Sequence, residues 1–243
     1  MPSGTIWLLP TTLSGGTIDR VIPAYVLGKI RNLRCFFAEE PKTARAFLKE
    51  AGHQGPITEL RIVKLTNDSS AADIGEMIRL VQAGEDAGIL SESGCPAIAD
   101  PGAPLVRMAH RSGIRVTPMV GPSSIILGLM ASGLETQRFS FNGYLPIKPF
   151  ERDRTIAVIE AKSMKNRSTE IFIETPYRNQ ALLNALVANC RPETMLSIAR
   201  DLTLETEEIC TKNIAEWKRD AMSLHKRPCV FMLLAQPGLK QGA

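Results

Sequence analysis

The sequence predicts an α/β protein of two domains, a parallel five-stranded sheet within residues 1–119 followed by a mixed sheet within 120–243. Three observations carry this reading. In the first half, short β-branched or aromatic runs alternate with segments of helical period, the pattern of successive βα units. In the second half, strand-like runs follow one another with fewer helices between them, as a mixed sheet requires. The chain of 243 residues, 44% apolar and 22% charged, has the length for two modest domains and the balance of a globular protein.

Taken in order, the first domain is expected to place strands at 5–10, 34–39, 60–65, 87–92 and 115–120. Helices are expected between them at 18–31, 42–51, 71–83 and 101–111, each carrying apolar residues at helical spacing. The second domain opens with a helix at 123–131, closed by Gly133, and a strand at 139–144 that runs into a loop marked by Pro146 and Pro149. A charged helix at 151–165, a strand at 170–174 and a helix at 177–188 follow. Strands at 195–202 and 207–212 have little between them and read as an antiparallel pair. A helix at 215–222, a last strand at 229–235 and a loose tail after Gln236 complete the chain.

Composition narrows the function. No apolar stretch approaches the roughly 20 residues of a membrane helix, so no membrane partner is expected. The opening Met1-Pro2-Ser3-Gly4 has no basic region leading into an apolar core, which reads as a cytoplasmic protein. Five widely spaced cysteines without a Cys-x-x-Cys pair, and three scattered histidines, predict neither disulfides nor a metal site. The net charge is +4, with 13 basic and 12 acidic residues up to Met119 and 16 basic and 13 acidic after it. The basic segment from Lys148 to Arg167 could face RNA phosphates or be a solvated helix of mixed charge.

Three strand ends carry residues fit for chemistry. After the fourth strand comes Ser93-Gly94-Cys95-Pro96-Ala97-Ile98-Ala99-Asp100-Pro101-Gly102. Asp100 reads as an N-cap and Pro101 as the first helical residue, while Gly94 lets backbone approach a ligand. After the fifth lies Val120-Gly121-Pro122-Ser123-Ser124, where N–H groups and hydroxyls could bind a carboxylate, ribose or phosphate, or simply cap a helix. The third is Glu174-Thr175-Pro176-Tyr177-Arg178, joined along the chain by Ala199-Arg200-Asp201-Leu202-Thr203; its Glu and Arg could orient a substrate, pull a proton from a hydroxyl or form a structural ion pair. Gly15-Gly16 lacks the Lys-[Ser/Thr] of a P-loop, and no Gly-x-Gly-x-x-Gly follows the first strand, so ATPase and dehydrogenase readings are weak.

These blocks, with Ala38-Glu39-Glu40 before them and Phe141-Asn142-Gly143-Tyr144-Leu145-Pro146 among them, resemble in content and order the tetrapyrrole methylase superfamily, the class III methyltransferases. The likeness is strongest to its bacterial branch that 2′-O-methylates a cytidine of small-subunit ribosomal RNA. The resemblance implies a homodimer that binds S-adenosylmethionine in a cleft between two α/β domains. Matched motif to motif, Pro10, Gly94, Cys95, Ile98, Ser123, Ser124 and Ile173 would line the cofactor, largely through backbone groups.

Three blocks depart from the branch's pattern: Leu8-Leu9-Pro10-Thr11-Thr12-Leu13, Glu39-Glu40-Pro41-Lys42 and Leu65-Thr66-Asn67-Asp68-Ser69. They leave open another RNA, a tetrapyrrole or other small molecule, or a non-catalytic cofactor- or RNA-binding module. For a hydroxyl acceptor, the expected catalytic group is Glu174, oriented by Arg178 or Arg200, with Lys42 and the 148–167 segment steering RNA.

Overall fold

The computed structural model describes residues 2–219 and 222–236, which divide into two compact units, Met1–Ser123 and Ser124–Ala243. The first holds β1 (Thr5–Leu9), α1 (Ile18–Val21), α2 (Ala24–Asn32), β2 (Cys35–Ala38), α3 (Pro41–Glu50), β3 (Arg61–Lys64), α4 (Ala71–Gln82), β4 (Ala87–Leu90), α5 (Ala103–Arg111) and β5 (Arg115–Pro118). All four strand pairings are parallel and the order is β3-β2-β4-β1-β5, so the five carboxyl ends share one edge. In such sheets, ligands bind outside that edge.

Helices cover both faces. Val26, Leu27 and Ile30 of α2 and Phe47 and Leu48 of α3 pack with Phe36 on one side. Ile74, Met77, Ile78 and Val81 of α4 and Leu105 and Ala109 of α5 pack with Phe37 on the other. β2 and β4 are therefore buried at every residue, which explains their short apolar runs.

Two local expectations fail here. The helix expected at 18–31 is two, because Pro23 has no N–H to continue the first and instead opens the second. The helix expected from Pro101 begins at Ala103 behind Gly102, whose φ of 137° no L side chain adopts easily; neither Asp100 nor Pro101 has its expected capping place. A 3-10 turn, Ile57–Glu59, was also without a sequence signal.

The second unit holds α6 (Ser124–Ser132), β6 (Phe139–Tyr144), α7 (Pro149–Asn166), β7 (Thr169–Ile173), α8 (Asn179–Asn189), β8 (Met195–Arg200), β9 (Glu208–Asn213), α9 (Ile214–Trp217) and β10 (Cys229–Leu234). Its sheet order is β6-β7-β10-β8-β9, with β6 parallel to β7 and the other three pairings antiparallel. Since β7 and β8 both oppose β10, the carboxyl ends of β6, β7 and β8 lie at one edge. Ile156 and Ile159 of α7, Leu182 and Leu186 of α8, and the stacked rings of Phe172 and Phe231, 5.9 Å between centroids, fill the core. Of the helix expected at 215–222, residues 220 and 221 lie outside the described residues, as does the tail expected to be loose, 237–243; α9 ends at Trp217, whose indole N–H donates to the Leu196 carbonyl at 2.8 Å.

Candidate functional site

In the first unit, the loops leaving β1, β4 and β5 meet at the carboxyl edge. The Thr11 amide donates to the Gly94 carbonyl at 3.0 Å, tying the β1 loop to the β4 loop. Gly94 sits at φ +79°, and a Cβ there would lie 3.0 Å from Leu13 Cδ2 and 3.1 Å from the Pro122 carbonyl oxygen. On the far side, a Cβ on Gly121 would lie 2.2 Å from Pro10 Cγ. Both glycines are thus required by close approach, and Pro10, Gly94 and the stretch leading to Ser123 form one contiguous patch.

The β4 loop is strained. Gly94, Ala97, Ala99 and Gly102 all have positive φ, and for the two alanines this left-handed conformation costs about 1–2 kcal/mol each. Backbone outliers of this kind persist where surrounding structure fixes them, and they cluster at ligand sites. Ser91 does much of the fixing. Its hydroxyl donates to Asp100 Oδ2 at 2.5 Å and accepts from the Ser93 amide at 3.0 Å, clamping the loop's two ends. Burial raises the Asp100 carboxyl above its ordinary range, against the opposing effect of the Ser91 hydrogen bond. Glu92 is raised as well, chiefly by burial, despite its hydrogen bond with Thr43.

Cys95 is half-buried and its thiol, pushed up by desolvation, donates weakly to the Pro122 carbonyl at 3.4 Å; it is a wall, not a nucleophile. Beside it, Ile98 is exposed. Both line a pocket of about 570 Å³ together with Leu8, Pro118 and Met119 and with Arg107 and His110 of α5. Those last two carry no motif, and sequence reading missed them. It also missed Thr11, whose buried hydroxyl makes no hydrogen bond among the described residues.

The blocks that depart from the branch's pattern behave differently. Asn67 and Glu39 line a pocket of about 690 Å³ with Asp68, Asp73, Glu76 and Lys64. Its carboxylates outnumber its cation, so it does not attract phosphate. Lys42 is exposed at the start of α3, where its amide completes the Glu40 cap.

In the second unit, Ile173 ends β7 and Glu174 follows it, buried to 8% exposure. Glu174 Oε1 accepts from the Thr175 amide and from Arg178 Nη2, both at 2.6 Å. Its other oxygen makes no hydrogen bond among the described residues. Arg178 is therefore the arginine that pairs with Glu174. Arg200 is not: it pairs with Glu208 across the β8–β9 ladder and donates to the Ser223 carbonyl at 2.8 Å. The carboxylate that Arg200 meets is the one β9 supplies. Ser124, half-buried, is the first residue of α6.

Among known proteins, the chain is 30% identical over 240 residues, 96% of its own length and 79% of the relative's, to a protein of Pseudomonas aeruginosa named ribosomal RNA small subunit methyltransferase I. The chain belongs to the ribosomal RNA small subunit methyltransferase I family. A relative of the same name from Xylella fastidiosa is 31% identical, over 88% of this chain and 76% of that one. No protein-family model matches. The fold is that of the tetrapyrrole methylases: the methyltransferase CobJ superposes with a TM-score of 0.62 at 17% identity, covering 96% of this chain and 95% of that one. A diphthine synthase does so with 0.62 at 15%, over 96% and 90%. As a member of this family the chain is a methyltransferase, and among the described residues no helix is long and apolar enough to cross a membrane.

Proposed function

We propose that the chain transfers a methyl group from S-adenosylmethionine to a ribose 2′-hydroxyl of small-subunit ribosomal RNA, as a cytoplasmic homodimer. The acceptor class follows from the family's name, shared by relatives that align over most of the chain. The observation that carries the cofactor is the strained Gly94–Gly102 loop, clamped by Ser91 and Asp100 and packed against the β1 and β5 loops at the carboxyl edge. It offers backbone groups and small side chains at close range, which suits a ligand bound mainly through main-chain polar atoms.

In this reading Pro10, Gly94, Cys95, Ile98, Ser123, Ser124 and Ile173 hold the cofactor. The bound sulfonium supplies an activated methyl group, so the chain's own task is to align the acceptor, exclude water and take up a proton. Glu174 suits the last role. Arg178 and the Thr175 amide fix Oε1, which leaves Oε2 as the oxygen able to receive the hydroxyl proton.

Two measurements test the proposal. A thermal-shift titration should show S-adenosylmethionine and S-adenosylhomocysteine raising the melting temperature, because a ligand of the native state stabilises it. Labelled-methyl transfer should then go to undermethylated small-subunit ribosomal RNA. Transfer to a tetrapyrrole panel instead would reassign the acceptor, and no melting shift at millimolar ligand would overturn the cofactor.

A further inference from the structure

α7 carries an apolar stripe that its own unit does not use. Ile156 and Ile159 face the core, 1% and 5% exposed. Roughly opposite them, at 100° per residue, lie Phe150, Arg154 and Val158, spaced i, i+4, i+8 on one outer face. Phe150 is 81% exposed and Val158 61%, and Ile147 just before the helix is 66% exposed. Large apolar side chains left exposed on one helix face suit an interaction surface.

The charges on the helix sort by face. Arg152 pairs with Asp153, and Lys162 with the fully buried Glu170, so these cations are neutralised. Among the described residues Arg154 has no ion-pair partner, and Lys148 has only an exposed contact with Glu151. The outer stripe is thus aromatic and basic together, which favours a nucleic-acid strand over an uncharged protein face.

Its position is built in. β6 carries a bulge between Phe141 and Tyr144, with Gly143 at φ +64°. Glu170 anchors the bulge by accepting from Asn142 Nδ2 at 2.9 Å while it holds Lys162 of α7 at 2.7 Å. Bulges re-aim side chains, and here Tyr144 stands 55% exposed, in register with Ile173 and so beside Glu174. Phe150, in the first turn of α7, starts from the same edge.

We infer that Tyr144, Phe150 and Arg154 form a platform for unpaired RNA, on which bases stack while Arg154 meets phosphate, leading the strand toward Glu174. This rests on the RNA-methylating function proposed above and adds where, and in which single-stranded form, the substrate binds.

The test is fluorescence anisotropy of the full chain with a labelled single-stranded RNA of roughly 12 nucleotides, and with the same strand annealed to its complement. Phe150→Ala should weaken single-strand binding about tenfold, and duplex binding far less. Arg154→Ala should lower the slope of log affinity against log salt by about 0.7. Both variants should keep the wild-type S-adenosylmethionine affinity and melting temperature. If the wild-type chain methylates RNA while Phe150→Ala binds the single strand within twofold of it, the platform alone is overturned. The same holds if Phe150→Ala turns a dimer into monomers without changing RNA affinity, which would give the stripe to a second copy. A wild-type chain that neither binds nor methylates RNA overturns the function beneath it.

Discussion

Glu174 shows how one residue's place limits its chemistry. A carboxylate at a strand end beside an arginine reads from sequence as either a base or half of an ion pair, and the structure gives it features of both: one oxygen bound twice, the other unbonded. Glu174→Gln keeps the shape and removes the proton acceptor, so turnover should fall by about 10²–10⁴-fold with cofactor affinity intact. Single-turnover methyl transfer beside calorimetric titration with S-adenosylmethionine separates the two quantities, and near-normal turnover would leave Glu174 as an ion pair only. Asp100 poses the opposite case. Burial raises its folded-state carboxyl above the unfolded value, so the ionised form costs stability, and stability is lost as pH rises through the folded-state value. Asp100→Asn retains an acceptor for the Ser91 hydroxyl without that charge. Its melting temperature should therefore exceed the wild type's at neutral pH, with the gap closing at a pH below the ordinary carboxylate range; a lower melting temperature at neutral pH would mean that the charge itself holds the clamp.

At the level of elements, periodicity located nearly every strand and helix, because the apolar residues that mark them are the ones the two sheets bury. What it missed was set by single backbone events. Pro23 split a helix whose apolar period runs on regardless, and Gly102 delayed α5 past an Asp-Pro pair that is a standard helix entry. The motif loops were legible as loops, yet their interlocking was not: the Gly121–Pro10 approach and the Ser91–Asp100 clamp join residues far apart in the chain or lack a spacing rule. Left-handed Ala97 and Ala99 were equally invisible, since alanine gives no sign of positive φ. They support an unusual expectation. Ala97→Gly should relieve about 1–2 kcal/mol of strain against roughly 0.4–1 kcal/mol of added unfolded-chain entropy, so it should leave stability unchanged or raise it. Gly121→Ala should do the reverse and cost about 1–3 kcal/mol, by overpacking against Pro10. Urea unfolding of both variants compares them directly, and a destabilised Ala97→Gly would show that the loop is not strained.

Across the whole molecule, fold and sequence speak to different parts of the function. Structures of the same fold carry names as different as CobJ and diphthine synthase at 17% and 15% identity, so the architecture fixes no acceptor. Kinship at 30–31% with relatives named for ribosomal RNA is what directs the acceptor, and it holds although the blocks near Lys42 and Asn67 depart from the branch's usual residues. The acid-lined pocket at Asn67 gives that departure a physical consequence, because a phosphate backbone gains nothing there, whereas the 148–167 segment carries six cations against three carboxylates, one of them buried at Glu160. RNA contact should therefore lie on the second unit. Charge reversal distinguishes the two surfaces: Arg154→Glu should reduce RNA binding by more than tenfold at low salt and lose most of that effect at high salt, while Lys42→Glu should change it little. A Lys42→Glu protein as impaired as Arg154→Glu would return the acceptor strand to the first unit and leave the aromatic stripe of α7 without a role in RNA entry.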